Sequence, residues 1–414
     1  MRILHVVHQY LPDRVGGTEN YTKWLTEALS RRGHDITVFY RRSADGMGLT
    51  HRTQQNVDIW AAWAGKVTPT GRFRATFRDP QILCAFERVL ERADPDLVHI
   101  QHLMGLPTAL VRAIQRRRIP YVITLWDFWW MCANAQLLTN YDQQVCDGPE
   151  MYVNCAQCAL ARIGQSWLWP AIPALAGLLA WRNRALHQVI NSADQLVAPA
   201  EFVRSRYATH GIPKESIIVI PPGLEYSPRN VRRERRQDGP LRFTFVGGLA
   251  WQKGVHILLE AFGRVRGTAE LWIAGDESFD PDYVSCLHDM TSPGVRFLGR
   301  QSREDVWKTL AQTDIVVMPS LWQETFSFSI SEAFAVGVPV IASHQGALVD
   351  RIRDGVDGLL VEPGDVTAWC GALQSVIEDR NLLNRLRANV SQPMAADEHA
   401  KEMEDLYNQL VSPI

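Results

Sequence analysis

The chain has 414 residues, of which 46% are hydrophobic and 21% are charged, a balance typical of a globular protein rather than a disordered one. This length exceeds what one ordinary core accommodates, so we expect two domains. The formal net charge of −2 gives no reason to expect a nucleic-acid partner.

The first half of the chain alternates strand patterns with helix patterns. The strand RILHVV (2–7) precedes the helix pattern GGTENYTKWLTEALSRRGH (16–34), whose apolar residues recur with the spacing of one helical face. Further strands follow in the order DITVFY (35–40), PDLVHIQ (95–101), PYVITLW (120–126), DQLVAP (194–199) and SIIVIPPG (216–223).

A polar, charged segment at 226–240 contains Pro and Gly and predicts a linker. The pattern then restarts, with strands at LRFTFVGG (241–248), ELWIAGD (270–276), VRFLG (295–299), DIVVMPS (314–320), VPVIAS (338–343) and GLLVEP (358–363). We therefore expect an α/β protein with two doubly wound, Rossmann-like parallel sheets, in domains at 1–225 and 241–394, facing each other across a ligand cleft.

Two glutamates stand out in QETFSFSISEAFAVGVPVIAS (323–343). Glu324 follows a strand and so lies at the ligand edge of the sheet, whereas Glu332 lies beyond the first turn of a helix that begins near Ser327. A carboxylate accepts two hydrogen bonds and suits a ribose diol, while the helix N–H groups of Phe326, Ser327 and Phe328 favour phosphate or sugar oxygens. The alternative is a pair of ordinary surface glutamates.

Motifs in one order along most of the chain resemble the family 4 glycosyltransferases, retaining enzymes of the GT-B fold that use sugar nucleotides. The resemblance is carried by GGTENYTKWLTEALSRRGH, DLVHIQHLMGL, IIVIPPGLE, FVGGLAWQKGVHILLEAF, LWIAGD, VRFLGR, GVDGLLVEPGD and, above all, by the two glutamates followed by AVGVPVIAS. It implies that a closing helix at about 395–414 packs back on the first domain.

The resemblance also implies roles for single residues. Glu332 binds the donor ribose, Glu324 contacts the transferred sugar, and Lys253 neutralises the diphosphate; a solvated lysine is the alternative. Phe297 and Arg300 border the base, although Phe297 also fits an ordinary core position. Gly16 and Gly17 let the backbone approach the donor diphosphate and the acceptor, or form a simple turn.

Two positions depart from the family pattern. Gly248, in the donor loop, stands where the family usually has Arg, so Arg14 or Arg300 would have to supply that charge. Trp126 stands where a His commonly precedes Asp127. Tryptophan cannot accept a proton, so either transfer does not need that group, or His102 or Asp127 takes part in catalysis. We place His102 and Trp126 on the acceptor side; a core Trp126 and a capping Asp127 are the alternatives.

Four of the seven cysteines, Cys132, Cys146, Cys155 and Cys158, are spaced C-x13-C-x8-C-x2-C. They predict either a structural zinc site or a set of unpaired thiols. The segment 162–190 combines Trp167, Trp169 and Trp181 with Arg162, Arg182 and Arg184, which fits either an interfacial helix or a core helix hairpin. An interfacial helix would indicate a lipid-linked acceptor.

No secretory signal is visible in MRILHVVHQY (1–10), and SWLWPAIPALAGLLAW (166–181) is short for a membrane span and interrupted by two prolines. We expect a cytoplasmic protein, either free or peripheral on the membrane. Its predicted function is retaining transfer of a sugar from a nucleoside diphosphate sugar to a glycan, lipid-linked or small-molecule hydroxyl, without a required cofactor. A catalytically silent sugar-nucleotide or glycan-binding partner is the alternative.

Overall fold

A computed structural model describes residues 1–66, 68–225, 239–278 and 280–411. The chain forms two compact units. One comprises residues 1–225 and the closing segment from Met394, and the other ends at Pro393. Apart from residues 239 and 240, the predicted linker at 226–240 lies outside the described residues.

The first unit contains an eight-stranded sheet. Its strands are β1 (Arg2–Val7), β2 (Asp35–Arg41), β3 (Met47–Gln54), β4 (Val57–Ala64), β5 (Leu97–Ile100), β6 (Tyr121–Thr124), β7 (Gln195–Ala198) and β8 (Ile217–Val219). Its helices before the second unit are α1 (Gly17–Arg31), α2 (Pro69–Phe77), α3 (Pro80–Ala93), α4 (Ala109–Arg116), α5 (Val153–Arg162), α6 (Ile172–Asn191) and α7 (Glu201–Thr209).

The strand order in this sheet is β3-β4-β2-β1-β5-β6-β7-β8. All neighbours are parallel except β3, which pairs antiparallel with β4. This edge hairpin was not predicted, because β3 is largely exposed and lacks the alternation of a half-buried strand. Gln55 and Asn56 connect its strands with φ values of 49° and 59°, as a tight two-residue hairpin turn requires.

The second unit contains a six-stranded, fully parallel sheet in the order β11-β10-β9-β12-β13-β14. The strands are β9 (Leu241–Val246), β10 (Ala269–Ala274), β11 (Val295–Gly299), β12 (Ile315–Met318), β13 (Val340–Ser343) and β14 (Gly358–Val361). The helices are α8 (Val255–Phe262), α9 (Pro281–Asp289), α10 (Arg303–Ala311), α11 (Phe328–Ala335), α12 (Leu348–Arg351), α13 (Val366–Glu378) and α14 (Arg380–Ala388).

Short polar side chains fix where several helices begin. Ser302 accepts a hydrogen bond from the Asp305 N–H at 3.2 Å, before α10. Asp365 accepts from the N–H groups of Thr367 and Ala368 at 2.9 and 3.0 Å, before α13. Each cap satisfies helix N–H groups that have no intrahelical partner and stabilises its helix by about 1 kcal/mol.

The last helix, α15 (Ala396–Val411), belongs to the first unit. The Tyr407 hydroxyl lies 2.6 Å from Nδ1 of His99 on β5, and His399 Nε2 lies 2.7 Å from the Tyr21 hydroxyl on α1. All four side chains are buried. The closing helix thus completes the core of the first unit.

Candidate functional site

In the second sheet, the chain adds β10 and β11 on one side of β9 and then returns to place β12 on the other side. The carboxyl ends of β9 and β12 therefore flank a topological switch point, where open α/β sheets bind ligands. The loop after β9 carries Gly248 and Lys253, and the loop after β12 carries Glu324.

Lys253 and Glu324 meet at this switch point. The Lys253 Nζ lies 2.7 Å from Glu324 Oε1, and the same oxygen accepts hydrogen bonds from Ser320 Oγ and Trp322 Nε1, each at 2.8 Å. Glu324 is only 5% exposed, so these donors hold its carboxylate in a fixed position. No described residue hydrogen-bonds to Glu324 Oε2, which leaves that oxygen available to a ligand hydroxyl.

Two glycines permit this close approach of loops. Gly254 has φ +68°, and a Cβ there would lie 1.9 Å from the Pro319 carbonyl oxygen. Gly346 has φ +60°, and a Cβ there would lie 2.7 Å from the backbone N and O of Glu324. A larger residue at either position would push the two loops apart and move Glu324.

Glu332 is buried on α11 and forms an ion pair with Arg303 at the start of α10. Burial raises the pKa of Glu332, and the positive charge of Arg303 opposes that rise. Sequence reasoning missed Arg303, which lies 29 residues away along the chain. The role of Glu332 as the ribose ligand stays a prediction.

The helix α11 begins at Phe328, one residue after Ser327, whose backbone has φ 65° and ψ 96°. Ser329 Oγ donates to the Val246 carbonyl at 2.9 Å and so ties the helix start to the end of β9. The half-buried Arg351 guanidinium lies 3.7 Å from the Phe326 ring centre and donates to the Phe326 carbonyl at 3.2 Å. Sequence reasoning gave no sign of Arg351. Burial lowers its pKa to about 9.

The residues predicted to border the base lie on the outer strand of this sheet. Phe297, on β11, is half-buried, with its ring centre 4.1 Å from that of His288. Arg300 follows β11, is exposed, and lies 3.5 Å from Asp276 Oδ2. Gly248 is also exposed, and no atom lies within 4 Å of the place a Cβ would occupy.

The first sheet has its own switch point between β1 and β5. His102 follows β5, and Asp127 lies in the loop after β6. The Met104 N–H donates to His102 Nδ1 at 3.0 Å, so Nε2 carries the proton and donates to Asp127 Oδ2 at 3.1 Å. Asp127 Oδ1 also accepts from the Trp129 N–H at 2.8 Å.

Two side chains that sequence reasoning missed complete this cluster. His8, after β1, has its ring centre 4.5 Å from that of His102, and its Nε2 lies 3.7 Å from Glu19 Oε1. Burial lowers the pKa of His8 and raises that of Glu19. The Glu19 carboxylate folds back toward Gly16, which caps α1 just before Gly17. The nearby Arg14 is exposed.

Trp126 is 7% exposed and packs in the core of the first unit. Its Nε1–H donates to Gln101 Oε1 at 3.0 Å, and its ring centre lies 4.4 Å from that of Tyr21. These contacts give the tryptophan a packing role at the position where the family pattern has a histidine. A role in acceptor binding stays a prediction.

Cys132, Cys146, Cys155 and Cys158 line one cavity in the first unit. Burial raises the pKa of three of these thiols, and that of Cys155 reaches about 12, which favours the protonated form. Across the part of the chain that the structure describes, no three His, Cys, Asp or Glu side chains are grouped so as to hold a metal ion. The geometry does not support the zinc hypothesis.

The segment with the three tryptophans divides into two kinds of surface. Trp167 is 72% exposed and Trp169 is 69% exposed, whereas Arg182 is buried, donating to the Trp129 carbonyl at 2.8 Å. Arg182 therefore fits the core-hairpin alternative, and contact of the exposed tryptophans with a membrane stays a prediction. Within the described ranges, the chain has no helix with the length and hydropathy needed to cross a bilayer.

Both units match family models. Residues 16–223 match the model described as a glycosyl transferase 4-like domain, and residues 240–379 match glycosyl transferases group 1. The chain belongs to the family 4 type of glycosyltransferases, as its motifs predict.

Curated relatives align over nearly the whole chain. A glycogen synthase of Mycobacterium tuberculosis is 25% identical over 407 residues, covering 96% of this chain and 91% of the relative. A D-inositol 3-phosphate glycosyltransferase of Xylanimonas cellulosilytica is 26% identical over 430 residues, covering 95% and 92%.

Solved structures share the fold. Anabaena Alr3699/HepE, crystallised with UDP and glucose, superposes with a TM-score of 0.70 at 18% identity over 99% of this chain and 100% of that one. A sucrose-phosphate synthase from Thermosynechococcus elongatus gives 0.70 at 18% identity over 99% and 98%. The predicted GT-B fold, with two Rossmann-like parallel sheets, is confirmed.

Proposed function

We propose that this glycosyltransferase moves a sugar from a nucleoside diphosphate sugar to an acceptor hydroxyl with retention of anomeric configuration, in the synthesis of a glycan or polysaccharide. The observation that carries the proposal is the Lys253–Glu324 pair at the switch point of the second sheet. It places one cation and one oriented carboxylate where a charged sugar donor would bind.

The second unit would hold the donor. Lys253 binds the diphosphate as a point charge, and the N–H groups at the start of α11 add the positive end of a helix dipole. Glu324 Oε2 accepts a hydroxyl of the transferred sugar. Glu332 accepts the ribose hydroxyls while Arg303 keeps it ionised against the effect of burial.

Transfer would proceed on one face of the sugar. The bond from the anomeric carbon to the phosphate oxygen breaks as the acceptor oxygen bonds to the same face, and the acceptor proton passes to the departing phosphate oxygen. Lys253 stabilises the negative charge that develops on the leaving diphosphate, and Glu324 stabilises positive charge on the sugar ring. Because Lys253 and the α11 N–H groups supply this charge, we propose that the reaction needs no metal ion.

The first unit would bind the acceptor. At its switch point, His102 donates its Nε2 proton to Asp127, and the second oxygen of Asp127 is held by the Trp129 N–H. This fixes an oriented carboxylate and an imidazole beside each other, suited to hold acceptor hydroxyls. Because the donor is a sugar nucleotide, we place the protein in the cytoplasm, with peripheral contact to a membrane.

The test is release of nucleoside diphosphate from UDP-, GDP- and ADP-sugars, with and without glycan and lipid-linked acceptors. UDP and ADP come first because solved relatives are described with UDP and glucose and with ADP and acarbose. Glu324→Gln should lower release at least 100-fold while nucleotide binding, followed by thermal stabilisation, persists. Glu304→Gln, an exposed glutamate at the start of α10, is the matched control.

Nucleotide binding without release from any donor and acceptor would favour a catalytically silent binding partner instead. Loss of release in 10 mM EDTA, reversed by added metal, would contradict metal independence.

A further inference from the structure

A cavity of about 370 Å³ opens in the first unit, between α2, the cysteine-bearing loop and α6. This volume lies in the range of small-molecule sites, roughly 300–1,000 Å³. The walls are mainly apolar and include Phe73, Leu138, Leu175 and Leu179. The donor site on the second sheet uses none of these residues.

Charge at the cavity has one sign. Among the described residues that line it there are four arginines and no acidic side chain. Arg182 is satisfied by Asn183 and the Trp129 carbonyl, but the half-buried Arg72 has no carboxylate partner within the described ranges. Its polar contact is from Nη1 to Met104 Sδ at 3.9 Å. An unpaired, half-buried guanidinium inside an apolar cavity calls for an anion.

The basic end of the cavity adjoins the cluster of His8, Glu19, His102 and Asp127, where we propose that the acceptor binds. Met104, which contacts Arg72, donates its N–H to His102 Nδ1, and the Trp129 ring centre lies 5.5 Å from that of His102. A ligand with its anion on Arg72 would therefore place the group beyond that anion beside His102 and Asp127. The apolar remainder of the ligand would extend away from the cluster.

The opposite wall reaches the protein surface through an uncharged segment. From Ile163 to Trp181 the sequence has no Asp, Glu, Lys, Arg or His. Ile163, Leu175, Leu178 and Leu179 of this segment line the cavity. The solvent-facing residues of the first half of α6 fall on one helical face and are all uncharged: Pro173, Ala174, Gly177, Leu178 and Trp181.

Exposed aromatics extend this face. Trp167 and Trp169 project from the short 3₁₀ turn Ser166–Ala171, just before α6, and the exposed Arg162 and Arg184 flank the uncharged segment. Tryptophans on an apolar face with arginines beside it match the interfacial region of an anionic bilayer. We call the exposed part of residues 163–181 the tryptophan face.

We propose that the cavity holds the hydrocarbon chain of a lipid-linked acceptor whose phosphate binds Arg72, and that the tryptophan face seats the cavity mouth on the membrane that supplies this lipid. The inference rests on the proposed glycosyl transfer and names its acceptor class: a sugar joined through phosphate to a long apolar chain. The cysteines that line the cavity suit this role, because free cysteine packs as a small apolar side chain.

The binding test uses geranylgeranyl phosphate, geranylgeraniol and inorganic phosphate with the full chain and no donor. The lipid phosphate should bind at least tenfold more tightly than either of the others. Ala159→Phe fills the cavity and should weaken binding at least tenfold, whereas Gln157→Phe, at an exposed position of the same helix, should leave it within twofold. Arg72→Gln should weaken lipid-phosphate binding similarly, with the exposed Arg78→Gln as its control.

The membrane arm uses sedimentation with vesicles of phosphatidylcholine containing phosphatidylglycerol. Replacing Trp167 and Trp169 with Ser should reduce the bound fraction at least fivefold, whereas Met47→Ser, at an exposed position on the edge strand β3, should not. Equal vesicle binding by the tryptophan variant would overturn the membrane role. Inorganic phosphate binding as tightly as the lipid phosphate would overturn the lipid assignment.

Two different cavity variants are used so that the test still gives a result if one of them does not fold. Should Ala159→Phe not fold, which its circular dichroism would reveal, Arg72→Gln still decides, because it leaves the apolar walls intact. Unchanged lipid-phosphate binding in folded Arg72→Gln would overturn the proposal. Nucleotide release with water-soluble acceptors, without binding of the lipid phosphate, would overturn the lipid site but not the proposed glycosyl transfer. Binding of the lipid phosphate without nucleotide release from any donor would overturn the proposed transfer but not the lipid site.

Discussion

Lys253 and Glu324 lie 71 residues apart in the chain, yet the Lys253 Nζ is 2.7 Å from Glu324 Oε1. The turn at Gly254 and the parallel placement of β9 beside β12 bring them together. Under the proposed function, the carboxylate holds the lysine where the donor diphosphate would bind. A bound diphosphate would compete for this lysine, which makes the pair a measurable reporter of donor binding.

Lys253→Met should weaken binding of the preferred nucleoside diphosphate at least tenfold, because a charge-assisted hydrogen bond contributes about 1.5–3 kcal/mol. Binding of the corresponding nucleoside should change less than threefold. Isothermal titration with both ligands checks this. Lys308→Met, which removes an exposed lysine from α10, is the matched control. Equal losses for nucleoside and diphosphate would contradict a role at the phosphates.

Glu332 provides a test of ribose recognition. If its carboxylate accepts the ribose hydroxyls, the protein should bind the ribonucleotide roughly tenfold more tightly than its 2′-deoxy form, and Glu332→Gln should reduce this preference. Arg303→Ala should raise the pKa of Glu332 further, because it removes the charge that opposes the effect of burial. Nucleotide binding by Arg303→Ala should then weaken at a higher pH than in the wild type as the solution is acidified.

The matched control for this series is Glu378→Gln, an exposed glutamate at the end of α13. An unaltered ribose preference in folded Glu332→Gln would show that the diol is bound elsewhere.

Gly248 offers a gain-of-affinity test. The glycine is exposed, and no atom lies within 4 Å of its Cβ position, so a long side chain fits without displacing neighbours. Gly248→Arg should tighten binding of the nucleoside diphosphate about tenfold by adding a second cation at the donor loop. Gly248→Gln, similar in length and uncharged, should bind like the wild type. Titration of both variants at 0.05 and 0.3 M salt checks that the gain is electrostatic.

Three buried histidines of the first unit predict how stability depends on pH. Burial lowers the pKa of His5 to about 3 and of His399 to about 4, and lowers that of His99 well below its usual range. Between these values and about 6.5, the unfolded chain binds protons that the folded chain does not, so stability falls as the pH falls. Each group contributes a slope of about 1.4 kcal/mol per pH unit in that window.

Urea unfolding between pH 7.5 and 4.5 measures this slope. His399→Gln should reduce this slope by the contribution of one histidine, about 1.4 kcal/mol per pH unit. His51→Gln, which replaces a partly exposed side chain on the edge strand β3, should leave the slope unchanged. A slope that is unchanged in His399→Gln would contradict a neutral, buried imidazole at that position.

The fold was predictable because its strands and helices repeat with simple hydrophobic periods. The carboxyl end of each parallel strand then indicates which loops lie at the ligand-binding edge of the sheet. Glu324 could be placed on that basis from DIVVMPS alone. Arg303, Arg351 and His8 could not, because each reaches the site from another element and has no local pattern to mark it. The β3–β4 hairpin was missed because an exposed edge strand carries no core signal.

Asp127 provides the test of the acceptor side. Its carboxylate accepts hydrogen bonds from His102 Nε2 at 3.1 Å and from the Trp129 N–H at 2.8 Å. Asp127→Asn replaces one carboxylate oxygen with an NH2 group, which cannot accept a hydrogen bond from either of these donors. We expect the KM for the acceptor to rise at least tenfold, with nucleotide binding within twofold of the wild type. Asp142→Asn, in the loop that follows, is the control. A fall in nucleotide affinity equal to the rise in KM would instead indicate that Asp127 acts on the donor, and an unchanged KM would remove it from the site.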